Sequence, residues 1–169
     1  MVTSERVSLS PFDRRHLDAT RRWVNDPEIS RLLGRALPVS DTEHEQWFGA
    51  LERSTDQVHF AIETRADGRH VGNIWLWGID WRHHKGELRI VIGEPPALGR
   101  GVGTEAIGLL CTYAFERLNL HKVSAYVLDI NPRALRAFEK AGFAVEGVLK
   151  EDRWDGTRYC DVYLLGRIR

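Results

Sequence analysis

The chain has 169 residues, a length that fits one compact domain spanning residues 1–169. Hydrophobic residues make up 43% of it and charged residues 28%, both close to globular averages, which excludes a disordered or fibrous class. Basic and acidic residues number 24 each, so the formal net charge is zero, and no block of like charge predicts binding to nucleic acid or a membrane.

No secretory or membrane-spanning segment is visible in the sequence. Residues 1–10 lack a basic stretch followed by an apolar one, and no apolar run is long enough to cross a bilayer, so we expect a cytoplasmic protein. Cys111 and Cys160 have no neighbour at metal or redox spacing and are predicted to be reduced packing residues. The histidines are scattered apart from His83 and His84, so we expect no metal site.

The first third of the chain predicts a strand followed by two helices. Residues 6–12 alternate apolar and polar side chains, which is the period of a half-buried strand. Asp13 can cap a helix that residues 25–27 interrupt before a short turn. Ser40 and Glu43 form a capping-box pattern that opens the second helix.

The middle of the chain predicts an antiparallel meander. Residues 58–64 and 70–79 surround a turn at 66–69 and read as a hairpin. A connection at residues 81–86 then leads to a third strand at 87–92.

The last part predicts a strand–helix–strand–helix unit and a closing hairpin. A helix at 102–118, a β-rich segment at 122–128 and a helix at 132–141 require parallel pairing across the crossover. Asp155 and Gly156 supply one of the strongest short hairpin signals. The predicted fold is therefore α/β (α+β), with a mixed, mostly antiparallel central sheet of about seven strands flanked by helices on both faces.

A glycine-rich loop opens the helix that begins near residue 102. Gly99, Gly101 and Gly103 would let an anion approach the unpaired N–H groups of the first helical turn, where the helix dipole is positive. Arg100 adds a charge that suits a pyrophosphate. The alternative is a loop that only turns the chain.

The same glycines also fit a dinucleotide-binding fingerprint, G-x-G-x-x-A, with Asp129 as the acid that binds ribose. Two features weigh against it. A loop containing Pro95 and Pro96 separates the strand from the glycines, and only 40 residues follow Asp129, too few for a second half of a doubly wound fold.

Several motifs, taken in this order and spacing, are far more specific than the glycines alone. They are Asn25-Asp-Pro-Glu28, Val71-Gly-Asn-Ile74, Gly86-Glu-Leu-Arg-Ile90, Gly99-Arg-Gly-Val-Gly-Thr-Glu-Ala106, Asn131-Pro-Arg-Ala134, Phe138-Glu-Lys-Ala-Gly-Phe143, Glu146-Gly147 and Asp155-Gly156. With them the chain resembles, over nearly its whole length, the GNAT superfamily of N-acetyltransferases, particularly the ribosomal-protein N-terminal, polyamine and amino-sugar branches. The resemblance implies a GNAT-like acyl-CoA N-acyltransferase fold. It also implies an enzyme that moves the acetyl group of acetyl-CoA to a primary amine.

The resemblance also implies which residues hold the cofactor. Main-chain groups of residues 90–92 would bind the pantetheine arm like an added strand, and the amides of residues 100–104 would bind the pyrophosphate. The positions expected to contact acetyl-CoA are Ile90, Val91, Ile92, Leu98, Gly99, Arg100, Gly101, Val102, Gly103, Thr104, Asn131, Ala134 and Phe138. Asn131 would contact the pantetheine or the amine. Many family members carry Ser and Tyr hydroxyls at the positions of Ala134 and Phe138, so the general acid stays open here.

The chemistry requires a base, because an aliphatic amine with a pKa of roughly 10 is protonated at neutral pH and cannot attack a thioester. Glu87 lies on the strand that leads into the glycine loop and is the predicted catalytic base, acting directly or through water. The alternative is an acid at the strand edge that pairs with Arg89 or His84.

Two further catalytic roles are predicted. A strand N–H, that of Val91, would polarise the thioester carbonyl, because an oxyanion needs a fixed donor. Tyr126 and Tyr159 are the hydroxyls placed to serve as the missing acid, and packing alone is the alternative for each. Because neither cysteine falls in this site, we expect direct transfer without a covalent enzyme intermediate.

The acceptor is not fixed by the sequence and could be a small-molecule amine, an amino sugar or a protein N-terminus. Asp26 and Glu28 could attract a cationic acceptor or only cap a helix, and Trp75, Trp77 and Trp81 could wall a pocket or pack in the core. The alternative function is a non-catalytic acyl-CoA-binding sensor or interaction module. The final hairpin could pair with a second copy, which leaves a homodimer open.

Overall fold

The computed structural model describes all of residues 1–169 and contains eight strands and five α-helices. The strands are β1 (Val2–Thr3), β2 (Val7–Pro11), β3 (Val58–Thr64), β4 (His70–Asp80), β5 (Lys85–Ile92), β6 (Lys122–Leu128), β7 (Ala144–Trp154) and β8 (Tyr159–Ile168). The helices are α1 (Leu17–Val24), α2 (Pro27–Leu32), α3 (Asp41–Leu51), α4 (Val102–Glu116) and α5 (Pro132–Lys140). None of these helices combines the length and the apolar character needed to cross a membrane.

All eight strands form one sheet in the order β1-β2-β3-β4-β5-β6-β8-β7, in which β5 and β6 are the one parallel pair. This confirms the mixed, mostly antiparallel sheet. The number of strands is eight rather than about seven, because Val2 and Thr3 pair with Leu9 and Ser8 of β2. A strand of two residues is too short to show a period of alternation in the sequence.

The parallel pair is the predicted crossover, since β5 passes through α4 to β6. Antiparallel partners flank it on both sides, β4 next to β5 and β8 next to β6. A doubly wound dinucleotide fold needs successive parallel strands, so that alternative is excluded. Asp129, the acid that it required, instead accepts hydrogen bonds from the Arg158 guanidinium at 3.0 and 3.2 Å.

One face of the sheet forms the main apolar core with α4 and α5. Alternate strand residues such as Ile74 and Leu88 are buried there and join Leu110 of α4 and Phe138 of α5 in a single cluster. Cys111 belongs to the same cluster and is a free, buried thiol, as predicted. Burial of these apolar side chains stabilises the packing of α4 and α5 on the sheet, because apolar burial is the dominant favourable term in folding.

The opposite face is covered by α1 and α3 and is richer in polar and aromatic groups. Asn73 of β4 donates a hydrogen bond to Thr20 of α1 at 2.8 Å. The Trp47 ring of α3 lies 5.8 Å from the ring of His59, which stacks on Trp75. Burial lowers the pKa of His59 to about 4, because the charged imidazolium is poorly solvated there.

Candidate active site

Strands β5 and β6 pair only over their first few residues and then separate. The parallel register ends at Glu87, which lies opposite Ser124. Beyond it, β5 continues to Ile92 with only β4 as a partner, and β6 continues to Leu128 with only β8. A gap therefore opens between the two strands toward their C-terminal ends. Along this gap, the sides of β5 and β6 that face each other have no strand partner.

Two hydrogen bonds fix which main-chain groups of β5 face this gap. The Gly93 N–H, just after β5, donates to the Val71 carbonyl of β4 at 2.9 Å. Near the start of β5, the Gly86 carbonyl faces β6 and accepts from the Ser124 hydroxyl at 3.4 Å. Main-chain direction alternates along a strand, so even-numbered residues of β5 turn their polar groups toward β6 and odd-numbered residues turn theirs toward β4.

The gap therefore exposes the N–H and C=O groups of Ile90 and Ile92, two of the residues predicted to bind pantetheine. Val91 pairs with Asn73, and its main-chain groups turn toward β4. The oxyanion role predicted for the Val91 amide does not fit this direction, because that N–H points away from the gap. An extended ligand that carries amides could bind Ile90 and Ile92 as an added strand would.

The glycine loop forms an open mouth at the start of α4. Gly99 and Gly101 have φ angles of +73° and +81°, in the left-handed region that favours glycine. Gly101 is the N-cap residue and supplies no side-chain hydrogen bond. The amides of Val102, Gly103 and Thr104 thus lack a capping side chain at the positive end of the helix dipole, which is a suitable site for a phosphate.

This mouth adjoins the gap between the strands. A Cβ atom placed on Gly103 would lie 3.9 Å from Cγ1 of Ile92, at the end of β5. Leu98 is half-buried and ends the short 3₁₀ turn Pro95–Ala97, and Arg100 is exposed beside the mouth. A ligand with an extended amide arm and a diphosphate could therefore follow one continuous track from β5 to α4.

Arg6 is a residue of this mouth that the sequence did not predict. Its main-chain N–H and its guanidinium donate to the Glu105 carboxylate at 3.0 and 2.6 Å, and the Ser4 hydroxyl donates to the same carboxylate at 2.6 Å. A Cβ atom on Gly101 would lie 3.1 Å from Nη1 of Arg6. These bonds fix the start of α4 against the connection between β1 and β2 and bring a second cation to the glycines.

Glu87 lies at the point where the gap begins. Its side chain is on the face covered by α1 and α3, and Oε1 accepts a hydrogen bond from Arg89 Nε at 2.7 Å. The Arg89 guanidinium in turn lies 5.0 Å from the ring centre of Trp77. The predicted pairing with Arg89 is thus observed, and the ion pair sets the position of the carboxylate without excluding a role in proton transfer.

Tyr126 lies on β6, on the same face as Glu87. Val123 and Ala125 point into the core, whereas Tyr126 is 49% exposed and its hydroxyl has no hydrogen-bond partner in the chain. Tyr159 is 60% exposed and packs against Trp154, with ring centres 5.0 Å apart. Both hydroxyls are therefore open to a ligand.

The residues expected on α5 are less accessible. Asn131 caps the helix, since its Oδ1 accepts the Ala134 N–H at 3.1 Å, which leaves its amide NH₂ and one lone pair of Oδ1 for a ligand. Phe138 is 3% exposed and packs edge-on against Phe143 at 5.0 Å. The cofactor contact predicted for the Phe138 ring is not supported, because the ring belongs to the core.

The tryptophans and the early acids take structural roles more than binding roles. Trp75 is half-buried against His59, whereas Trp77 and Trp81 are 40% and 47% exposed. Asp26 caps α2, because its carboxylate accepts two main-chain N–H groups at 3.0 Å. Both bonds use Oδ1, so Asp26 has the predicted role of a helix cap while its exposed Oδ2 has no partner.

Known proteins share both the sequence and the architecture. Residues 6–144 match the model of the acetyltransferase (GNAT) domain family. The spermidine N(1)-acetyltransferase of Vibrio cholerae is 36% identical over 159 residues, which cover 94% of this chain and 91% of that protein. That of Escherichia coli K12 is 27% identical over 159 residues, covering 94% of this chain and 84% of that protein.

The structural comparison gives the same result. The crystal structure of spermidine N-acetyltransferase from Vibrio cholerae in complex with CoA and spermine superposes with a TM-score of 0.90. The alignment covers 96% of this chain and 95% of that one, with 26% identity between the structurally aligned residues.

The strand gap continues into the uncapped N-terminus of α4, and the comparisons identify the class of protein as an acetyl-CoA-dependent N-acetyltransferase. The chain belongs to the GNAT acetyltransferase family. It transfers the acetyl group of acetyl-CoA to an amine, and its relatives fit the polyamine branch among those that the sequence resembled. The alternative of a non-catalytic module loses its support, because these relatives are named acetyltransferases.

Proposed function

We propose that the chain acetylates the primary amine of a small molecule by direct attack on acetyl-CoA in a ternary complex. One observation carries the proposal: the gap beside Ile90 and Ile92 runs without a break into the uncapped N-terminus of α4. An arm of amides ending in a diphosphate matches both parts. The spermidine acetyltransferases that resemble this chain support a small amine as the class of acceptor.

Glu87 is the proposed general base. Its carboxylate lies at the closed end of the gap, where the thioester of a ligand bound along β5 would meet the acceptor. Taking a proton from the ammonium form of the acceptor, directly or through water, creates the nucleophile. Arg89 holds the carboxylate through Oε1, which leaves Oε2 for the amine or the water.

The strand amides supply the proposed oxyanion donor. Because the Val91 N–H turns toward β4, we assign this role to the N–H of Ile90 or Ile92, whose direction is toward the gap. A main-chain N–H is held by the sheet and does not titrate, which suits charge that develops on an oxygen. Tyr126 is the proposed proton donor to the departing thiolate.

Direct transfer is also supported by the state of the cysteines. A covalent route would need a reactive thiolate, and Cys111 and Cys160 are both buried. Burial raises the pKa of the Cys111 thiol to about 11, so the thiolate is scarce at neutral pH.

Replacing Glu87 by Gln tests the base. We expect kcat to fall by about 100-fold, within the usual range for general acid–base catalysis, while the Kd for acetyl-CoA stays unchanged. Release of coenzyme A measures the rate, and calorimetry measures binding. Arg89→Gln is the matched control, because it breaks the same ion pair and leaves the carboxylate. Equal losses in both variants, or a full rate in Glu87→Gln at every pH, would show that Glu87 is not the base.

We further propose that the chain forms homo-oligomers through β7. This strand of 11 residues pairs with β8 on one side only, and Val145, Val148 and Leu149 are among its exposed side chains. An unpaired apolar edge of this length favours association. A dodecameric structure is known for the Vibrio cholerae relative. Light scattering should give a mass above that of one chain, and Val148→Lys should reduce it; a monomer at all concentrations would refute the proposal.

A further inference from the structure

A groove of about 530 Å³ lies between the segment that follows α2 and the turn that joins β7 to β8. Its walls come from the α1–α2 corner and from residues 34–38 on one side, and from Trp154, Asp155 and Gly156 on the other. Few of its lining residues are apolar, so the groove suits a polar ligand.

The groove lies at the open end of the strand gap. Val162, near the start of β8, pairs with Leu128 at the end of β6, so the β7–β8 turn is at the C-terminal end of β6. On the other side, Trp23 of α1 packs against Gly93 at the end of β5 and donates to Glu94 at 3.1 Å. The chain enters α2 from that point. An acceptor that approaches Glu87 across the face covered by α1 and α3, apart from the cofactor track along β5, would pass the groove.

The one acid in the groove is fully committed. Asp155 has no exposed side-chain surface, and its carboxylate accepts hydrogen bonds from the Arg158 N–H at 2.9 Å, from Arg31 Nη2 at 2.6 Å and from both the N–H and the hydroxyl of Thr157 at 2.8 Å. These donors hold the pKa of Asp155 well below its usual range. Asp155 has no capacity left to bind an ammonium group.

The basic residues of the groove keep free donors. Arg31 uses one N–H on Asp155, so four of its five remain, and Arg35 is exposed and forms no ion pair. Two arginines and one aspartate give the groove a formal charge of plus one. Glu28, the unpaired acid on α2, does not line it.

The position of Arg35 is set by the main chain around it. Its N–H donates to the Ser30 carbonyl at 2.8 Å. Asn25 binds the far end of the segment through both the N–H and the carbonyl of Val39, at 2.8 and 2.9 Å. Hydrogen bonds thus hold the segment at both ends, so the fold fixes the position of this wall of the groove.

We infer that the preferred acceptor carries an anionic group, a carboxylate or a phosphate, in addition to its primary amine. Arg35 and the free donors of Arg31 would bind the anion while the amine reaches the gap. A polyamine has only positive charges and would meet the like charges of Arg31 and Arg35 here, while Asp155, the one acid that lines the groove, is already paired. The inference rests on the proposed function and separates this chain from the spermidine acetyltransferases in acceptor chemistry, since fold similarity does not transfer substrate identity.

Matched pairs of amines test it on the full chain with saturating acetyl-CoA. One pair is butylamine and γ-aminobutyrate, the other is ethanolamine and phosphoethanolamine, and spermidine is the cationic competitor. We expect the member that carries a carboxylate or phosphate in at least one pair to exceed the partner that lacks it about tenfold in kcat/KM, as one charge-assisted contact would give. Which pair shows the effect identifies a carboxylate or a phosphate as the group bound.

Variants then connect the preference to the groove. Arg35→Glu should abolish the preference for the anion and raise kcat/KM for spermidine, with the Kd for acetyl-CoA unchanged. Arg82→Gln, an exposed arginine in the β4–β5 turn, is the control and should behave as the wild type. Arg31 is unsuitable for this test, because its loss would leave the buried Asp155 without its cation.

The outcomes separate the inference from the function on which it rests. If the amines are acetylated with spermidine preferred, and Arg35→Glu leaves the ratio of rates within each matched pair unchanged, the inference is wrong and acetyl transfer stands. If acetyl-CoA binds but none of the amines releases coenzyme A, the proposed small-amine function and the inference are both overturned.

Discussion

The two halves of the proposed active site offer different kinds of groups to their ligands. The cofactor half, made of β5 and the start of α4, presents main-chain groups: the strand edge at Ile90 and Ile92 and the uncapped amides after Gly101. The acceptor half comprises the sheet face covered by α1 and α3, together with α2, the following segment and the β7–β8 turn, and it presents side chains such as Arg35. Recognition by main-chain groups is kept when the side chains change. A groove that recognises its ligand through side chains can change its ligand with one substitution.

This difference explains how a chain can share a fold closely and still differ in acceptor. Identity to the Vibrio cholerae spermidine acetyltransferase is 26% over the superposed residues, yet the TM-score is 0.90. A ligand held by amides and helix dipoles needs little beyond glycine at two or three positions. An acceptor held by charge depends on residues that the fold leaves free to vary.

The largest effect that we expect is a pH dependence of the free energy of unfolding. The groups that cause it lie in the acceptor half. The pKa of His59 is lowered from 6.5 to about 4 by burial, so between these values the unfolded chain binds a proton that the folded chain does not. Stability should therefore fall as the pH drops from 6.5 toward 4, by up to roughly 1.4 kcal/mol per pH unit. Burial also lowers the pKa of His44 and His70 on the same face, with the same sign.

Thermal melts across this pH range measure the effect. His59→Phe should flatten the dependence, whereas His121→Gln, at an exposed position, should leave it unchanged. The Kd for acetyl-CoA of the folded protein should not follow the same curve, because the cofactor half contains none of these histidines. Equal slopes for wild type and His59→Phe would contradict the assignment.

A smaller effect is expected from Gly101→Ala in the cofactor half. The φ angle of +81° is unfavourable for alanine, and the new Cβ would approach Arg6 Nη1 to 3.1 Å. We expect a loss of about 1–2 kcal/mol in the free energy of unfolding, together with weaker acetyl-CoA binding.

Gly108→Ala is the control for that change. It lies in the same helix with open space around it, and it should stabilise the fold by about 0.5–1 kcal/mol without changing the Kd for acetyl-CoA. Similar urea midpoints for Gly101→Ala and Gly108→Ala would show that position 101 does not require glycine.

The smallest effect concerns the cap of α3, which belongs to the acceptor half. The Ser40 hydroxyl accepts the Glu43 N–H at 3.2 Å, and the Glu43 carboxylate accepts the Ser40 N–H at 2.9 Å. Ser40→Ala should lower the free energy of unfolding by about 1 kcal/mol, as the loss of an N-cap usually does. Calorimetry should find acetyl-CoA binding unaltered; a change in Kd would mean that the two halves are coupled through α3.

Local signals account for what the sequence predicted correctly. The capping box at Ser40 and Glu43, the glycines before α4 and the Asp155-Gly156 turn each act within a few residues, and the structure contains all of them. The parallel crossover followed from the order of elements, because a strand, a helix and a strand must return in the same direction.

What the sequence missed depends on residues far apart in the chain. Arg6 meets Glu105 across 99 positions, and Arg31 meets Asp155 across 124. No periodicity or motif reports such contacts, so the second cation of the mouth and the charge of the groove could not be predicted. The direction of the Val91 amide was missed for a related reason, since main-chain alternation is fixed only by the register against β4.

Substitution of Gly103 by Glu tests the central claim most directly. A carboxylate at this position favours the N-terminus of α4, so the melting temperature should stay the same or rise, while repulsion of the diphosphate should weaken acetyl-CoA binding at least about tenfold. Gly108→Glu adds the same side chain beyond the first turn and should keep the wild-type Kd in calorimetry. If Gly103→Glu binds acetyl-CoA as tightly as Gly108→Glu, the mouth of α4 does not hold the cofactor.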